Sequence, residues 1–189
     1  MSEYIFKTKP YEHQLQALKK SWDKPSYAYF MEMGTGKSKV LIDEIAGLYL
    51  RGKITGALII APKGVYRNWE RGEIPIHMTD VVPYVVAAWK APSEMTIQDK
   101  KTLKNILLPN GKLRILLMNV EALSGSKGVK YASQFLHNNN TLMAIDESTT
   151  IKTMSASRTK NALKLGKISK YRRIMTGSPV TKNPLDVYA

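Results

Sequence analysis

Residues 29–38 read Tyr-Phe-Met-Glu-Met-Gly-Thr-Gly-Lys-Ser, and they join an apolar, aromatic segment to a helix-like pattern through a short glycine turn. A strand, a glycine loop and a helix start are the parts of a phosphate-binding loop. Glycines let backbone N–H groups face phosphates, and the helix N-terminus adds partial positive charge. The pattern predicts that Lys37 reaches the β- and γ-phosphates of ATP and that the Ser38 hydroxyl ligates Mg²⁺.

The loop departs from the full phosphate-loop pattern at its first position, where Met31 replaces glycine. The remaining Gly-x-Gly-Lys-Ser lies in the strand-to-helix context that the pattern requires. The other loop residues predicted to contact the nucleotide are Met33, Gly34, Thr35 and Gly36. From this segment alone, the alternative is an ordinary glycine turn that precedes a helix.

Short apolar segments alternate with helix patterns along the chain. Strands are predicted over residues 26–30, 57–61, 83–88, 113–118, 141–145 and 171–175. Helices are predicted over residues 11–22, 37–50, 65–73 (stopped before Pro75), 97–108, 130–137 and 157–165 (followed by Gly166). This alternation indicates an α/β fold with a mostly parallel central sheet and helices on both faces. No repeat or internal linker interrupts residues 1–189, so a single domain is predicted.

Two adjacent carboxylates, Asp146 and Glu147, follow the apolar strand at residues 141–145. In an ATPase the first would hold Mg²⁺, partly through water, and the second would position and deprotonate the attacking water. Adjacent carboxylates repel each other, so a divalent cation explains the pair better than burial alone. The alternative is a strand-to-loop boundary with two solvated acids.

The composition is that of a globular protein with a strong excess of basic residues, at a net charge of +14. Residues 1–94 hold 13 Lys/Arg and 10 Asp/Glu, whereas residues 95–189 hold 16 and 5. This asymmetry predicts a polyanionic partner, with a solvated basic face as the alternative. The absence of cysteine excludes disulfides and cysteine-bound zinc. No apolar run approaches the roughly 20 residues of a membrane span, and we expect no membrane partner.

Six segments, in this order, resemble the motifs of the first RecA-like domain of superfamily 2 helicase-type ATPases, most closely the Swi/Snf-like DNA translocases. They are residues 10–14 (Pro-Tyr-Glu-His-Gln), 32–38, 58–70 (an apolar strand, Ala-Pro and Asn-Trp-Glu), 116–123, 146–152 (Asp-Glu with Ile-Lys) and 175–179 (Met-Thr-Gly-Ser-Pro). The resemblance implies a RecA-like P-loop NTPase fold, an ATP hydrolase activity, and ATP and Mg²⁺ as cofactors. The segment at residues 146–152, which we call motif II, departs from the family pattern. It begins Asp-Glu-Ser-Thr where the family usually has Asp-Glu-Ala-His or Asp-Glu-Gly-His, so Ser148 and Thr149 stand where a small residue and a histidine are usual.

The resemblance also implies roles for individual residues. Gln14 would read the adenine base, and Thr176 and Ser178 would sense the nucleotide state and relay it across the domain. The residues that would contact the nucleic-acid backbone are Lys63, Gly64, Arg67 and Asn119. Contacts to phosphate and sugar carry no sequence code, which suits a motor that moves over any sequence.

Proteins of this type close their ATP site with a second RecA-like lobe that carries arginine fingers. We therefore expect residues 1–189 to be the N-terminal lobe of a longer, monomeric two-lobe motor that acts on DNA, with duplex DNA favoured over single strands. These residues alone are expected to bind ATP with little turnover. The expected location is the cytoplasm, at the nucleoid or in a phage-infected cell, or the nucleus in a eukaryote.

Some residues and functions keep two interpretations. Trp69 is interpreted as a buried anchor of its helix rather than a nucleic-acid contact, because large aromatic side chains usually point inward. Arg172 and Arg173 either contact nucleic acid or flank a strand. The rival functions are an RNA helicase lobe of the same superfamily, a non-catalytic ATP-gated binding module, and a basic scaffold with an inactive loop.

Overall fold

The computed structural model describes residues 4–90, 92–151 and 156–177. These residues form one six-stranded sheet with α-helices on both faces. The strands are β1 (Ser26–Phe30), β2 (Gly56–Ala61), β3 (Tyr84–Ala88), β4 (Leu113–Asn119), β5 (Thr141–Asp146) and β6 (Tyr171–Thr176). The predicted α/β fold with a parallel sheet is confirmed, and each strand lies within one residue of its predicted bounds.

The strand order is β1-β6-β5-β2-β4-β3, and every neighbouring pair is parallel. All six carboxyl ends therefore lie at one edge of the sheet, which we call the carboxyl edge. Ligands of such sheets bind outside this edge. The loop that follows β1 and the acid pair that ends β5 both lie there, with β6 between the two strands.

The helices divide into two layers around the sheet. They are α1 (Glu12–Ser21), α2 (Lys37–Leu50), α3 (Tyr66–Asn68), α4 (Ile74–His77), α5 (Ile97–Asn105), α6 (Ser126–His137) and α7 (Ser157–Ile168). Side chains alternate along each strand, so Ile59 of β2 packs with the α1–α4 layer while Leu58 and Ile60 pack with the α5–α7 layer. Burial of both sheet faces explains why the strands are apolar at nearly every position.

The helical segment after β2 differs from its prediction. A π-helix, Trp69–Glu73, follows α3, and α4 continues through Pro75 to His77 instead of stopping before the proline. Proline lacks the N–H that a helix interior requires, but it is tolerated in the first turn of a helix. Because the π turn restarts the helix at Ile74, Pro75 falls in such a first turn.

Three other helix boundaries differ from the predictions. Helix α5 ends at Asn105, three residues before the predicted end at position 108. Helix α6 begins at Ser126, four residues before the predicted start at position 130, and α7 runs to Ile168 with Gly166 inside it. A glycine costs a helix interior about 1 kcal/mol relative to alanine, which tertiary packing of the α7 apolar face offsets. Among the described residues, no helix is long and apolar enough to cross a membrane.

The layer that contains α2 encloses a polar network at the β1–β6 side of the sheet. Arg173 of β6 forms an ion pair with Glu44 of α2, and the Tyr29 hydroxyl donates to Glu44 Oε2 at 2.9 Å and to Ser21 Oγ at 2.6 Å. The neighbouring Arg172 donates to Ser26 Oγ at 2.9 Å and to backbone carbonyls. Of the two interpretations of this arginine pair, the structure supports the structural one for Arg173.

Candidate nucleotide-binding site

The loop between β1 and α2 adopts a conformation that requires glycine at two positions. Gly34 and Gly36 have φ angles of 78° and 83°, in the left-handed region that other residues adopt only at a cost. Helix α2 begins at Lys37 immediately after the second glycine. The N-terminus of α2, with its unsatisfied N–H groups, therefore faces the carboxyl edge beside the loop, as a phosphate site requires.

The Lys37 side chain folds back over the loop. Its ammonium donates to the carbonyl oxygens of Met31 at 2.8 Å and Glu32 at 3.0 Å. The cation is thus already held at the mouth of the loop, where the β- and γ-phosphates of a nucleotide would accept from it. Ser38 follows as a half-buried residue in the first turn of α2.

Helix α1 supports the loop from the side. Gln14 is only 5% exposed, and its amide nitrogen donates to the Thr35 carbonyl at 2.9 Å while its amide oxygen accepts from the Tyr11 N–H at 3.0 Å. A Cβ on Gly36 would lie 2.3 Å from that amide nitrogen, so this glycine also makes room for Gln14. The structure places Gln14 against the loop, and its reading of adenine stays a prediction.

The acid pair lies at the carboxyl end of β5. Asp146 is 8% exposed, and its two oxygens accept from the Trp69 indole N–H and the Glu147 backbone N–H, each at 3.0 Å. Glu147 has a φ of 49°, a left-handed conformation that is uncommon outside glycine and is enriched at functional sites. This turn gives the two adjacent carboxylates different environments, one buried and one half-buried.

The electrostatics connect the acid pair to the loop. Burial raises the pKa of Asp146, while the hydrogen bonds from Trp69 and Glu147 and the nearby charge of Lys37 oppose that rise. The contacts show the same relation, because Lys37 donates to the Met31 carbonyl, the Met31 N–H donates to the Thr176 carbonyl at the end of β6, and Met175 of β6 pairs with Asp146. The structure therefore brings Lys37 and Asp146, which are 109 positions apart in sequence, to one place at the carboxyl edge.

The segment that follows β6 packs directly on the phosphate loop. The buried Thr176 accepts a hydrogen bond at its carbonyl from the Met31 N–H at 3.3 Å. A Cβ on Gly177 would lie 3.1 Å from the Met33 side chain and 3.3 Å from its backbone nitrogen. The predicted coupling residue Thr176 is thus in contact with the loop. Its predicted partner Ser178 lies outside the described residues, as does Lys152 of motif II.

The residues predicted to contact nucleic acid occupy the ends of two neighbouring strands. Lys63, Gly64 and Arg67 are exposed and follow β2, and Arg67 lies 3.5 Å from Glu94. Asn119 ends β4, and its side-chain oxygen accepts from the Ala122 N–H at 2.8 Å, which caps the 3₁₀-helix that follows. The structure gathers these four residues at the carboxyl edge, and their contacts with nucleic acid stay predictions.

Trp69 is a site residue that the sequence analysis did not include. It is 1% exposed and packs in the core, so its interpretation as a buried anchor is confirmed. Its indole nitrogen also donates to Asp146, 77 positions away. The signal in the sequence was the side chain itself, because a buried indole N–H usually finds an acceptor.

The carboxyl edge suits a magnesium ion that arrives with a nucleotide. Among the described residues, no group of three or more histidine or acidic side chains could hold a metal by itself. Mg²⁺ in phosphate-transfer sites needs only one or two carboxylates in addition to the substrate phosphates. Each Asp146 oxygen accepts one hydrogen bond and keeps capacity for a further contact. Ser38 and Asp146 therefore fit a Mg²⁺·nucleotide complex.

The parallel strand order, the glycine loop and the acid pair together define a RecA-like phosphate-loop domain. The SNF2-related domain family matches residues 20–189, and the chain belongs to that family. The resemblance to Swi/Snf-like proteins that the motifs carried is confirmed.

The chain spans only part of the length of three similar proteins. Protein CHROMATIN REMODELING 24 of Arabidopsis thaliana is 25% identical over 158 residues, which make up 84% of this chain and 14% of that protein. The Sulfolobus solfataricus SWI2/SNF2 ATPase core in complex with dsDNA has a TM-score of 0.71 at 21% identity, over 98% of this chain and 35% of that one. The UvsW helicase from Bacteriophage T4 has a TM-score of 0.66 at 11% identity, over 96% and 57%.

Proposed function

We propose that this chain is the ATP-binding lobe of an ATP-dependent DNA translocase or helicase of the Swi/Snf type. In this proposal a second RecA-like lobe completes the site, and ATP is hydrolysed with Mg²⁺. The observation that carries the proposal is that Lys37 and Asp146 lie at the ends of nearby strands on the carboxyl edge, beside a glycine loop and a helix N-terminus. Membership in the SNF2-related family supports the same reading.

Each site residue has a defined task. Lys37 exchanges the carbonyls of Met31 and Glu32 for oxygens of the β- and γ-phosphates. Ser38 and Asp146 hold Mg²⁺, which neutralises charge on the phosphates. Glu147 orients the attacking water and accepts its proton. Gln14, already against the loop, reads the adenine base.

DNA is the proposed partner on two grounds. The half of the chain after residue 94 carries most of the net positive charge, and the exposed Lys63 and Arg67 stand at the same edge as the ATP site. The similar Sulfolobus ATPase core is in complex with dsDNA. Contacts with phosphates supply affinity without sequence preference, so duplex DNA of any sequence is the proposed track. An RNA-stimulated ATPase that ignores DNA would favour the RNA helicase alternative.

The second lobe would supply the arginines that stabilise the transition state, an effect worth about 10³ or more in rate in related phosphoryl-transfer enzymes. Hydrolysis would open and close the two lobes and move a monomer along DNA. The protein would work where its DNA is, in the cytoplasm or in a nucleus. Multiple-turnover hydrolysis by these 189 residues alone, abolished by Glu147→Gln, would contradict the need for a second lobe.

The decisive experiment compares Lys37→Ala with Lys20→Ala, an exposed lysine in the last turn of α1. With Mg²⁺ and a non-hydrolysable ATP analogue at about 100 times its dissociation constant, the unsubstituted protein should gain roughly 2.7 kcal/mol in unfolding free energy. Lys20→Ala should keep that gain and Lys37→Ala should lose it. No gain in the unsubstituted protein would support a basic scaffold with an inactive loop.

A further inference from the structure

The Trp69–Asp146 hydrogen bond joins the two proposed ligand sites of the lobe. The donor and the acceptor are 3.0 Å apart and both side chains are buried. A buried hydrogen bond to an ionised group is among the stronger interactions that a protein makes, because water does not compete for either partner. Asp146 ends β5, whereas Trp69 lies in the segment that follows β2. The carboxylate that would hold Mg²⁺ is thus oriented by a side chain that follows a different strand.

The backbone that carries Trp69 also carries the proposed DNA contacts. Residues 63–67, with Lys63 and Arg67, lead from the carboxyl end of β2 into α3 and then into the π-helix Trp69–Glu73. Only one residue separates Arg67 from Trp69. If DNA binding displaces residues 63–67, that displacement therefore reaches the Trp69 indole directly along the backbone.

The π-helix Trp69–Glu73 directly follows the segment with the proposed DNA contacts. A π turn holds one more residue than an α-helical turn, and short π segments inside helices are frequent at functional sites. Gly72 fits this turn closely, since a Cβ there would lie 2.9 Å from the Asn68 side-chain oxygen. The Asn68 amide nitrogen in turn donates to Glu73 across the π-helix at 3.2 Å.

Resting on the proposed function, we infer that Trp69 is a positioning residue that couples DNA binding to nucleotide binding. Its indole N–H holds one oxygen of the Asp146 carboxylate, and its helix follows the position of the DNA-contacting segment. DNA bound to residues 63–67 would determine the position of the Asp146 carboxylate. Mg²⁺·nucleotide bound at that carboxylate would in turn determine the position of residues 63–67. The coupling must be reciprocal, because both ligands act on one equilibrium.

The test measures this coupling in the full-length protein and in Trp69→Phe, which keeps an aromatic ring and removes the N–H. The affinity for a short labelled DNA duplex is measured with and without Mg²⁺ and the analogue AMP-PNP. Coupling factors of this kind usually lie at about 5 to 150. We expect Trp69→Phe to bring the factor close to 1, because the indole N–H that holds Asp146 is lost. Trp89→Phe, the same change beside Tyr131 on the opposite face, should keep the full factor.

A fluorescence measurement does not depend on the Trp69 variant. The chain has three tryptophans, so Trp22→Phe with Trp89→Phe leaves Trp69 as the single emitter. Addition of Mg²⁺·AMP-PNP alone and of DNA alone should each change its emission. If the Trp69 emission changes with neither ligand, or if the coupling factor is unaltered in Trp69→Phe, the inference is wrong and the proposed function is unaffected. Failure of the unsubstituted protein to bind Mg²⁺·AMP-PNP overturns both.

Discussion

Arg173 on β6 and Glu44 on α2 form a bidentate ion pair inside the domain. The guanidinium Nε lies 2.8 Å from Oε2 of the carboxylate, and a second guanidinium nitrogen lies 2.5 Å from Oε1. Both side chains are fully buried. The pair joins α2, which begins directly after the phosphate loop, to β6, the strand that pairs with β1 before the loop.

Loss of one member of this pair should be severe. Arg173→Met leaves the Glu44 carboxylate buried without its counter-charge, which we expect to cost about 3–5 kcal/mol in unfolding free energy. Urea denaturation measures the loss. The double variant Glu44→Leu with Arg173→Met removes both charges and should recover much of the stability. A double variant whose loss of unfolding free energy equals the sum of the losses in Arg173→Met and Glu44→Leu would contradict this prediction.

The two functions of Gly36 predict different losses in two glycine variants. Gly36→Ala forces a side chain into a left-handed conformation, at about 1–2 kcal/mol, and displaces Gln14 from the loop. Gly52→Ala imposes similar strain at a φ of 66° with nothing within 4 Å of the new methyl group. Both variants should lose stability in urea, but only Gly36→Ala should lose binding of Mg²⁺·ATP in calorimetry. Equal nucleotide affinity in the two variants would refute the packing argument.

A buried aspartate on α2 should give stability a defined pH dependence. Asp43 accepts from Lys39 at 2.8 Å and from the Tyr4 hydroxyl at 3.0 Å, yet burial dominates and raises its pKa above the ordinary value of 3.8. The folded chain therefore binds this proton more tightly than the unfolded chain does. The stabilising contribution is complete below pH 3.8 and is lost as the pH rises through the raised pKa.

Asp43→Asn isolates this effect. The amide cannot ionise, so the unfolding free energy of the natural protein should fall relative to that of Asp43→Asn as the pH rises from about 4 towards 7. Urea titrations at several pH values give the difference directly. A difference that stays constant with pH would show that Asp43 has no raised pKa.

Lys63 and Lys53 stand beyond opposite ends of β2, and both are exposed. Only Lys63 is at the carboxyl edge with the proposed DNA contacts. Lys63→Ala should weaken DNA binding uniformly across sequences and reduce the slope of log K against log salt by about 0.9. Lys53→Ala should leave the slope unchanged. Equal effects of the two substitutions would indicate a diffuse basic surface without a defined DNA path.

The sequence predicted the strands of the sheet well, because each strand depends on a local pattern. Six short apolar segments gave six strands, and parallel strands bring their carboxyl ends to one edge whatever their order. That geometry is why Lys37 and Asp146 could be assigned to one site from sequence alone. The order β1-β6-β5-β2-β4-β3 was not predicted, since it depends on which buried faces fit together.

The contacts that hold the site were not predicted either. The Trp69–Asp146 and Arg173–Glu44 pairs join residues 77 and 129 positions apart, and no local pattern marks either pair. The helix around Pro75 was misjudged because a π turn, which propensity does not indicate, moved the proline into a first turn. Nothing in the sequence distinguishes Arg173 from an exposed arginine. Its buried ion pair with Glu44 is seen only in the structure.

Lys37 already rests on two carbonyl oxygens of its own loop. In the proposed function, the arrival of ATP is therefore an exchange of acceptors for an ammonium group that is already held at the loop. Little ordering has to accompany capture, so the on-rate should be governed by diffusion and charge steering. When product leaves, the proposed exchange would run in reverse and Lys37 would return to the carbonyl oxygens of its own loop.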